Sequence, residues 1–151
     1  MEKIFFYDTP VGKICIGEEN GCITHVTWTK IPKEYVLEET ELIQSCKKQL
    51  EEYFAGKRKA FDLPLAPKGT AFQQKVWKAL TEIPYGETRT YGEIAAAVGN
   101  PKGARAVGMA NNKNPIGIII PCHRVVGANG KLVGYAGGME KKAFLLELEQ
   151  K

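Results

Sequence analysis

The chain has 151 residues, 44% of them hydrophobic and 25% charged, with a formal net charge of +4; this composition excludes disordered, collagen-like and membrane-bundle proteins. No apolar run approaches the roughly 18 residues of a bilayer span. Met1–Tyr7 also lacks the basic and apolar regions of a secretory signal, so the expected location is cytoplasmic. The charge is uneven: residues 1–67 carry 9 Lys+Arg against 11 Asp+Glu, and residues 68–151 carry 12 against 6. A basic second half fits either a polyanionic partner or an ordinary solvated surface.

Three short runs rich in β-branched and aromatic residues open the chain, around Ile4 and Phe6, at Lys13–Gly17 and at Ile23–Trp28. The turn signals Thr9-Pro10-Val11-Gly12 and Glu19-Asn20-Gly21 separate them, so a small antiparallel sheet is expected. A helix over about Thr40–Ala55 follows from Leu42, Cys46, Leu50 and Phe54, with Gly56 as its stop. The Pro- and Lys-containing stretch 57–68 reads as the boundary between an N-terminal lobe (1–67) and a second domain (68–151).

The second half reads mainly as helix. Two capping-box patterns, Thr70-Ala71-Phe72-Gln73 and Thr90-Tyr91-Gly92-Glu93, open helices. Phe72, Val76, Leu80 and Ile83 form the inward stripe of the first. A third helix spans about Ala104–Asn112, and the two short helices with their Gly-containing turn match a helix-turn-helix. The last of them carries Ala104, Ala106 and Gly108 around Arg105, a bare surface suited either to close helix packing or to a groove probed by one long cation. Ile116–Ile120 reads as a buried strand or extended segment, and a terminal helix over about Glu140–Gln150 is expected to turn Phe144, Leu145 and Leu148 inward. The fold class expected is α+β.

Cysteines stand at 15, 22, 46 and 122, too scattered for a disulfide scaffold. Cys46 lies on an apolar stripe and reads as core. Cys122 differs, because His123 and Arg124 follow it directly. Imidazole and cationic neighbours lower a thiol's pKa and activate it as a nucleophile. Adjacent residues of an extended chain point to opposite faces, so either the chain turns at Cys122 or a water bridges the pair. A buried structural cysteine beside a hydrogen-bonded histidine is the alternative. Cys15, Cys22 and His25 lack a fourth ligand at standard spacing, and no metal or other cofactor is expected.

The string Pro121-Cys122-His123-Arg124-Val125, preceded by Asn114-Pro115 and an isoleucine run, resembles the O6-alkylguanine-DNA alkyltransferases. The resemblance runs from about Phe72 to Glu149. It includes Thr90–Ala95, Gly99-Asn100-Pro101, Ala104–Gly108, Gly134–Gly138 and Lys142–Glu149. It implies an N-terminal lobe of ribonuclease H-like fold and a helical DNA-binding domain. The implied activity is irreversible, single-turnover transfer of an alkyl group from O6-alkylguanine in double-stranded DNA, with O4-alkylthymine as a further candidate substrate. In this resemblance Cys122 is nucleophile and acceptor, His123 the base acting through a water, Glu149 the carboxylate that orients it, and Asn114 the residue that fixes the turn. Tyr135 and the backbone of Ala136 hydrogen-bond the departing base, and the carbonyls of Cys122 and Val125 read its exocyclic amine. Arg105 fills the space of the flipped nucleotide. Tyr91 presses on the adjacent phosphate, and Ala104, Ala106 and Gly108 admit the helix to the minor groove. Gly117, where some relatives have proline, implies a bare pocket wall. A monomer in solution is expected, with cooperative clustering on DNA left open and no membrane partner. The competing readings are a lesion-binding module without transfer, disfavoured by the presence of Cys122, and a thiol hydrolase.

Overall fold

The computed structural model of the chain describes residues 1–132, 135 and 138–151. The β-rich runs form a meander of β1 (Glu2–Thr9), β2 (Gly12–Glu19) and β3 (Cys22–Thr27), paired antiparallel as expected. A short fourth strand, β4 (Tyr35–Leu37), joins β1 in parallel and gives the order β3-β2-β1-β4. All three residues of β4 are exposed, so no alternation of burial marks it in the sequence.

Helix α1 (Glu41–Phe54) packs on this sheet. The Thr40 hydroxyl accepts from the Ile43 amide at its start, and Gly56, at φ +75°, follows its end. Its buried face is Ile43, Cys46, Gln49, Leu50 and Tyr53, rotated slightly from the expected stripe, with Leu42 and Phe54 on the flanks. The connector after α1 is hydrogen-bonded to the sheet: the Ile23 amide donates to the Pro64 carbonyl and the Ala66 amide to the Ile23 carbonyl, each at 2.8 Å. One core runs through both halves, joining Ile16, Ile23 and Val26 to Val76, Leu80 and Ile116.

Helix α2 (Ala71–Thr81) begins in a complete capping box, with Thr70 and Gln73 each bonding the other's backbone amide. Trp77, outside the expected stripe, is buried and donates from Nε1 to the Ala110 carbonyl at 2.8 Å. A side chain at Gly69 would stand 2.4 Å from the Trp77 ring, which accounts for glycine there. A second complete capping box, Thr90 with Glu93, opens α3 (Tyr91–Ala97), and α4 (Ala104–Asn112) completes the helix-turn-helix. Strand β5 (Arg89–Thr90) pairs in parallel with β6 (Val125–Val126). That pairing ties the start of α3 to the residues after Cys122.

Two expectations need correction. The segment Ile116–Ile120 is a tight turn rather than a strand: Ile120 N donates to the Ile116 carbonyl, Ile118 takes φ +68°, and only Ile116 bridges to Val26. Asn114 imposes the turn, as its Nδ2 donates to the Ile116 and Ile120 carbonyls (3.2 and 2.9 Å) and its Oδ1 accepts from the Ile116 amide. Five apolar residues in a row reflect burial, and burial alone does not specify an extended chain. In α5 (Met139–Leu148), Phe144 faces outward at 41% exposure, and the buried residues are Lys142 and Leu145. Glu149 caps this helix and is also buried. The spacing 142, 145, 149 places a cation and a carboxylate on the inward face.

Replacing Thr70 with Ala removes one half of the α2 capping box and is expected to lower stability by about 1 kcal/mol. Thermal unfolding followed by circular dichroism measures it, and an unchanged midpoint would contradict the capping role.

Candidate active site

The site is built on a single 3-10 turn, Cys122–Arg124. The chain does turn at Cys122, so three consecutive side chains fan out instead of alternating. The turn is pinned at each side. Asn111 Nδ2 donates to the Cys122 carbonyl at 3.3 Å, and Lys142 Nζ donates to the Val125 carbonyl. Asn114 holds the Ile120 carbonyl just upstream.

His123 is fully buried and pairs through Nε2 with Glu149 Oε2 at 2.7 Å. Arg124 turns away from the thiol and grips the same carboxylate in two places, Nε to Oε1 at 2.8 Å and Nη2 to Oε2 at 3.0 Å, while Nη1 donates to the Ile83 carbonyl. Tyr53 donates from Oη to Oε2 at 2.5 Å. Glu149 is 4% exposed, and the hydrogen bonds from His123, Arg124 and Tyr53 outweigh burial and hold its carboxyl down at about 2. It is therefore an anion that only accepts, and His123 Nε2 must carry the proton between them. Burial keeps His123 below its ordinary pKa, so the ring is neutral near neutral pH and its Nδ1 is a bare acceptor. That Nδ1 has no hydrogen-bond partner among the described residues.

Cys122 is 5% exposed, and its pKa lies above the ordinary thiol value. Here the structure corrects the expectation of a lowered pKa. Burial outweighs the opposing influences of Asn114, Lys142 and Tyr135, and Arg124 is committed to Glu149. The thiol rests protonated and needs a base to ionise it. Burial also raises Cys15 to about 11 and Cys46 to about 12, and all four cysteines are free. Lys142, fully buried, is the cation on the thiol's side; burial pushes it down to about 8 and Cys122 opposes that. Its Nζ lies 5.8 Å from the centre of the Tyr91 ring. Burial and the nearby thiol keep the phenols of Tyr91 and Tyr135 above their ordinary pKa, so both stay protonated and can donate.

The cleft beside Cys122 is lined by Asn114, Gly117, Tyr135 and, from the N-terminal lobe, Val26–Lys30. Gly117 does not leave its wall bare. A side chain there would stand 3.2 Å from the Trp28 ring and 3.3 Å from the Val26 carbonyl, so the glycine lets the indole cover that wall. Trp28 is anchored by its Nε1 bond to the Val11 carbonyl and stands edge-on to Tyr135 at 5.9 Å. On the outer side of the helix-turn-helix, Arg105, Ala106 and Met109 are exposed along α4, with Ala104 and Gly108 half-buried between them. Ala136 lies outside the described residues.

The structure thus brings Cys122, His123, Glu149, Asn114, Val125, Tyr91 and Tyr135 into one site and sets Arg105 apart on the surface. Sequence reasoning missed Lys142, Tyr53, Trp28 and Asn111. Of these, Lys142 carried a signal, since it falls on the helical spacing that ends at Glu149. Among the described residues no cluster of three or more His, Cys, Asp or Glu could hold a metal ion; His25 is paired with Glu2 at 2.7 Å.

Comparison with known proteins agrees over both halves. Residues 4–67 match the family model described as 6-O-methylguanine DNA methyltransferase, ribonuclease-like domain, and residues 71–151 match that described as 6-O-methylguanine DNA methyltransferase, DNA binding domain. A methylated-DNA–protein-cysteine methyltransferase of Methanosarcina acetivorans is 56% identical over 150 residues, covering 95% of each chain. The constitutive enzyme of that name from Bacillus subtilis is 52% identical, covering 95% of this chain and 92% of its own. The solved structure of Mycobacterium tuberculosis OGT in complex with DNA superposes with a TM-score of 0.93 at 46% identity, covering 98% of this chain and 92% of that one.

The buried carboxylate and imidazole make the fold sensitive to acid. Both pKa values lie below those of the unfolded chain, Glu149 at about 2 against 4.5 and His123 below 6.5, so the unfolded state takes up protons first. The contribution to stability is complete above about 6.5 and is lost as pH falls through that value and on toward about 2. The urea midpoint should follow that course, and the fall below about 4.5 should flatten in Glu149→Gln. A midpoint that stays level across the range would contradict the charge states assigned here.

Proposed function

The chain belongs to the 6-O-methylguanine DNA methyltransferase family, and from that premise we propose that it repairs alkylated duplex DNA by taking the alkyl group of O6-alkylguanine onto Cys122, once per molecule. The observation that carries this reading is the convergence on one thiol of a base, its orienting carboxylate and proton-donating phenols. The thiol proton passes through a water to the bare Nδ1 of His123, and the imidazolium that forms is stabilised by Glu149. Sulfur then attacks the alkyl carbon in line; the S–C bond forms as the C–O6 bond breaks, and the electron pair of that bond goes to O6. The purine would leave as an anion, so donors at the base lower the barrier. Tyr135 and Tyr91, both protonated, suit that part, and the backbone of Ala136 is assigned the same part by family resemblance. Lys142, beside the thiol, favours the thiolate as it forms. The product is a thioether, and a C–S bond to an unactivated alkyl group has no return path.

The target atom lies within the base stack, so the nucleotide has to rotate out to reach a buried sulfur. In this reading α4 lies in the minor groove, Arg105 fills the gap in the stack, and Tyr91 steers the adjacent phosphate. Ala104, Ala106 and Gly108 give the backbone the close approach that a narrow groove requires. Because a lesion can occur in any sequence, contacts are chiefly to phosphates, as the basic second half suits. The protein acts as a monomer in the cytoplasm.

Incubation with a duplex containing O6-methylguanine should add one methyl group to the intact mass, mapped to the peptide of Cys122, at no more than one per molecule. Cys122→Ser should bind the same duplex and gain nothing. Methylation at another cysteine, or binding by the wild type with no mass gain, would overturn the reading.

A further inference from the structure

The residues given a direct part in transfer lie in the basic half, yet the carboxylate beneath them takes a hydrogen bond from the other lobe. Tyr53, on the inner face of α1, reaches Glu149 across 96 positions of sequence. Its side chain is fully buried. Its ring stands edge-on to Tyr85 at 6.2 Å and packs against Phe54 and Phe61, each at 5.6 Å. Tyr85 in turn faces the Arg124 guanidinium at 5.7 Å and Lys59 at 5.5 Å. The ring thus sits in an aromatic cluster that spans α1, the connector and the turn after α2, while the hydroxyl itself is fixed by its bond to Glu149.

The choice of oxygen is what gives this bond a consequence for chemistry. Tyr53 and His123 donate to the same atom, Oε2, at 2.5 and 2.7 Å. Arg124 Nη2 shares it at 3.0 Å, while Oε1 takes Arg124 Nε at 2.8 Å and the Gly86 amide at the long distance of 3.5 Å. Donors on one oxygen compete for its charge. We propose that Tyr53 is a positioning residue for alkyl transfer: through its hydroxyl on Glu149 Oε2, the N-terminal lobe sets the orientation and the basicity of His123. This inference rests on the alkyl-transfer reading above. The charged and titratable groups around the pair are Tyr53 from α1, Tyr85 from the turn after α2, Arg124 from the 3-10 turn, Tyr135 from the residues before α5 and Lys142 from α5. Removing the Tyr53 hydroxyl leaves more of the carboxylate's charge for His123, so the ring binds its second proton more tightly and is less firmly aimed.

The test is the single-turnover rate of methyl transfer from an O6-methylguanine duplex, measured against pH for the full-length wild type, Tyr53→Phe and Phe61→Leu. In Tyr53→Phe the plateau rate should fall roughly tenfold, the size of one hydrogen bond to a charged group. The acid limb should move up by about half a pH unit, as expected when an imidazole gains effective negative charge beside it. Affinity for the duplex should not change. Phe61→Leu loosens the same aromatic cluster without touching Glu149 and should leave the acid limb in place. A Tyr53→Phe profile that superposes on the wild type, or an equal shift in Phe61→Leu, would overturn the inference while leaving the alkyl-transfer reading intact. A wild type that transfers nothing at any pH would remove both.

Discussion

A carboxylate placed almost out of reach of water is the constraint around which the second half of this molecule is arranged. Burying Glu149 as an anion costs several kcal/mol unless its lone pairs are met. Here they are met by His123, by two nitrogens of Arg124 and by Tyr53. Those bonds draw together α1, the 3-10 turn and the end of α5, and the bond from Arg124 Nη1 to the Ile83 carbonyl adds the turn after α2. The same bonds decide the state of the histidine. A carboxylate that can only accept forces the proton onto Nε2, and this leaves Nδ1 unprotonated where a base is needed. Structural cohesion and chemical readiness thus come from one set of contacts, and loss of Arg124 would leave the buried anion without its countercharge.

The thiol is governed by the opposite balance. Cys122 and Cys15 are both buried, and burial raises both. What distinguishes Cys122 is its company: Asn114, Lys142 and Tyr135 each favour its anion, although together they do not overcome desolvation. The resting protein therefore holds a protonated sulfur. For a protein that reacts once, this is a useful arrangement, since a permanently ionised thiol would be spent on any electrophile. In the proposed reaction, ionisation is tied instead to His123, whose Nδ1 the pairing with Glu149 leaves bare.

Much of this was legible in the sequence because local chemistry and final structure agree there. Both capping boxes, the bounds of α4 and the antiparallel meander follow from short-range rules, and Cys122-His123 with Glu149 follows from family motifs. What escaped notice depends on tertiary placement. Tyr53 looks like one more apolar residue of α1 until its hydroxyl meets a partner 96 positions away. Trp28 reads as the end of a strand, and its part in the cleft depends on Gly117 yielding space to it. Arg124 suggested a cation for the thiol, but an arginine two places along a 3-10 turn points elsewhere, and the stronger pull is the carboxylate. The isoleucine run suggested a strand because five apolar residues announce burial without announcing shape; Asn114 supplies the shape. Lys142 is the instructive case, since a lysine on the inward face of a helix contradicts amphipathic patterning and marks a site.

The chemistry of the site turns on one proton, the one His123 carries. Nitrogen-15 NMR of the histidine side chains in the unreacted protein at neutral pH reads it directly. His123 should be a neutral ring protonated at Nε2 and bare at Nδ1, and Glu149→Gln should disturb this state. A His123 protonated at Nδ1, or an imidazolium at neutral pH, would contradict it.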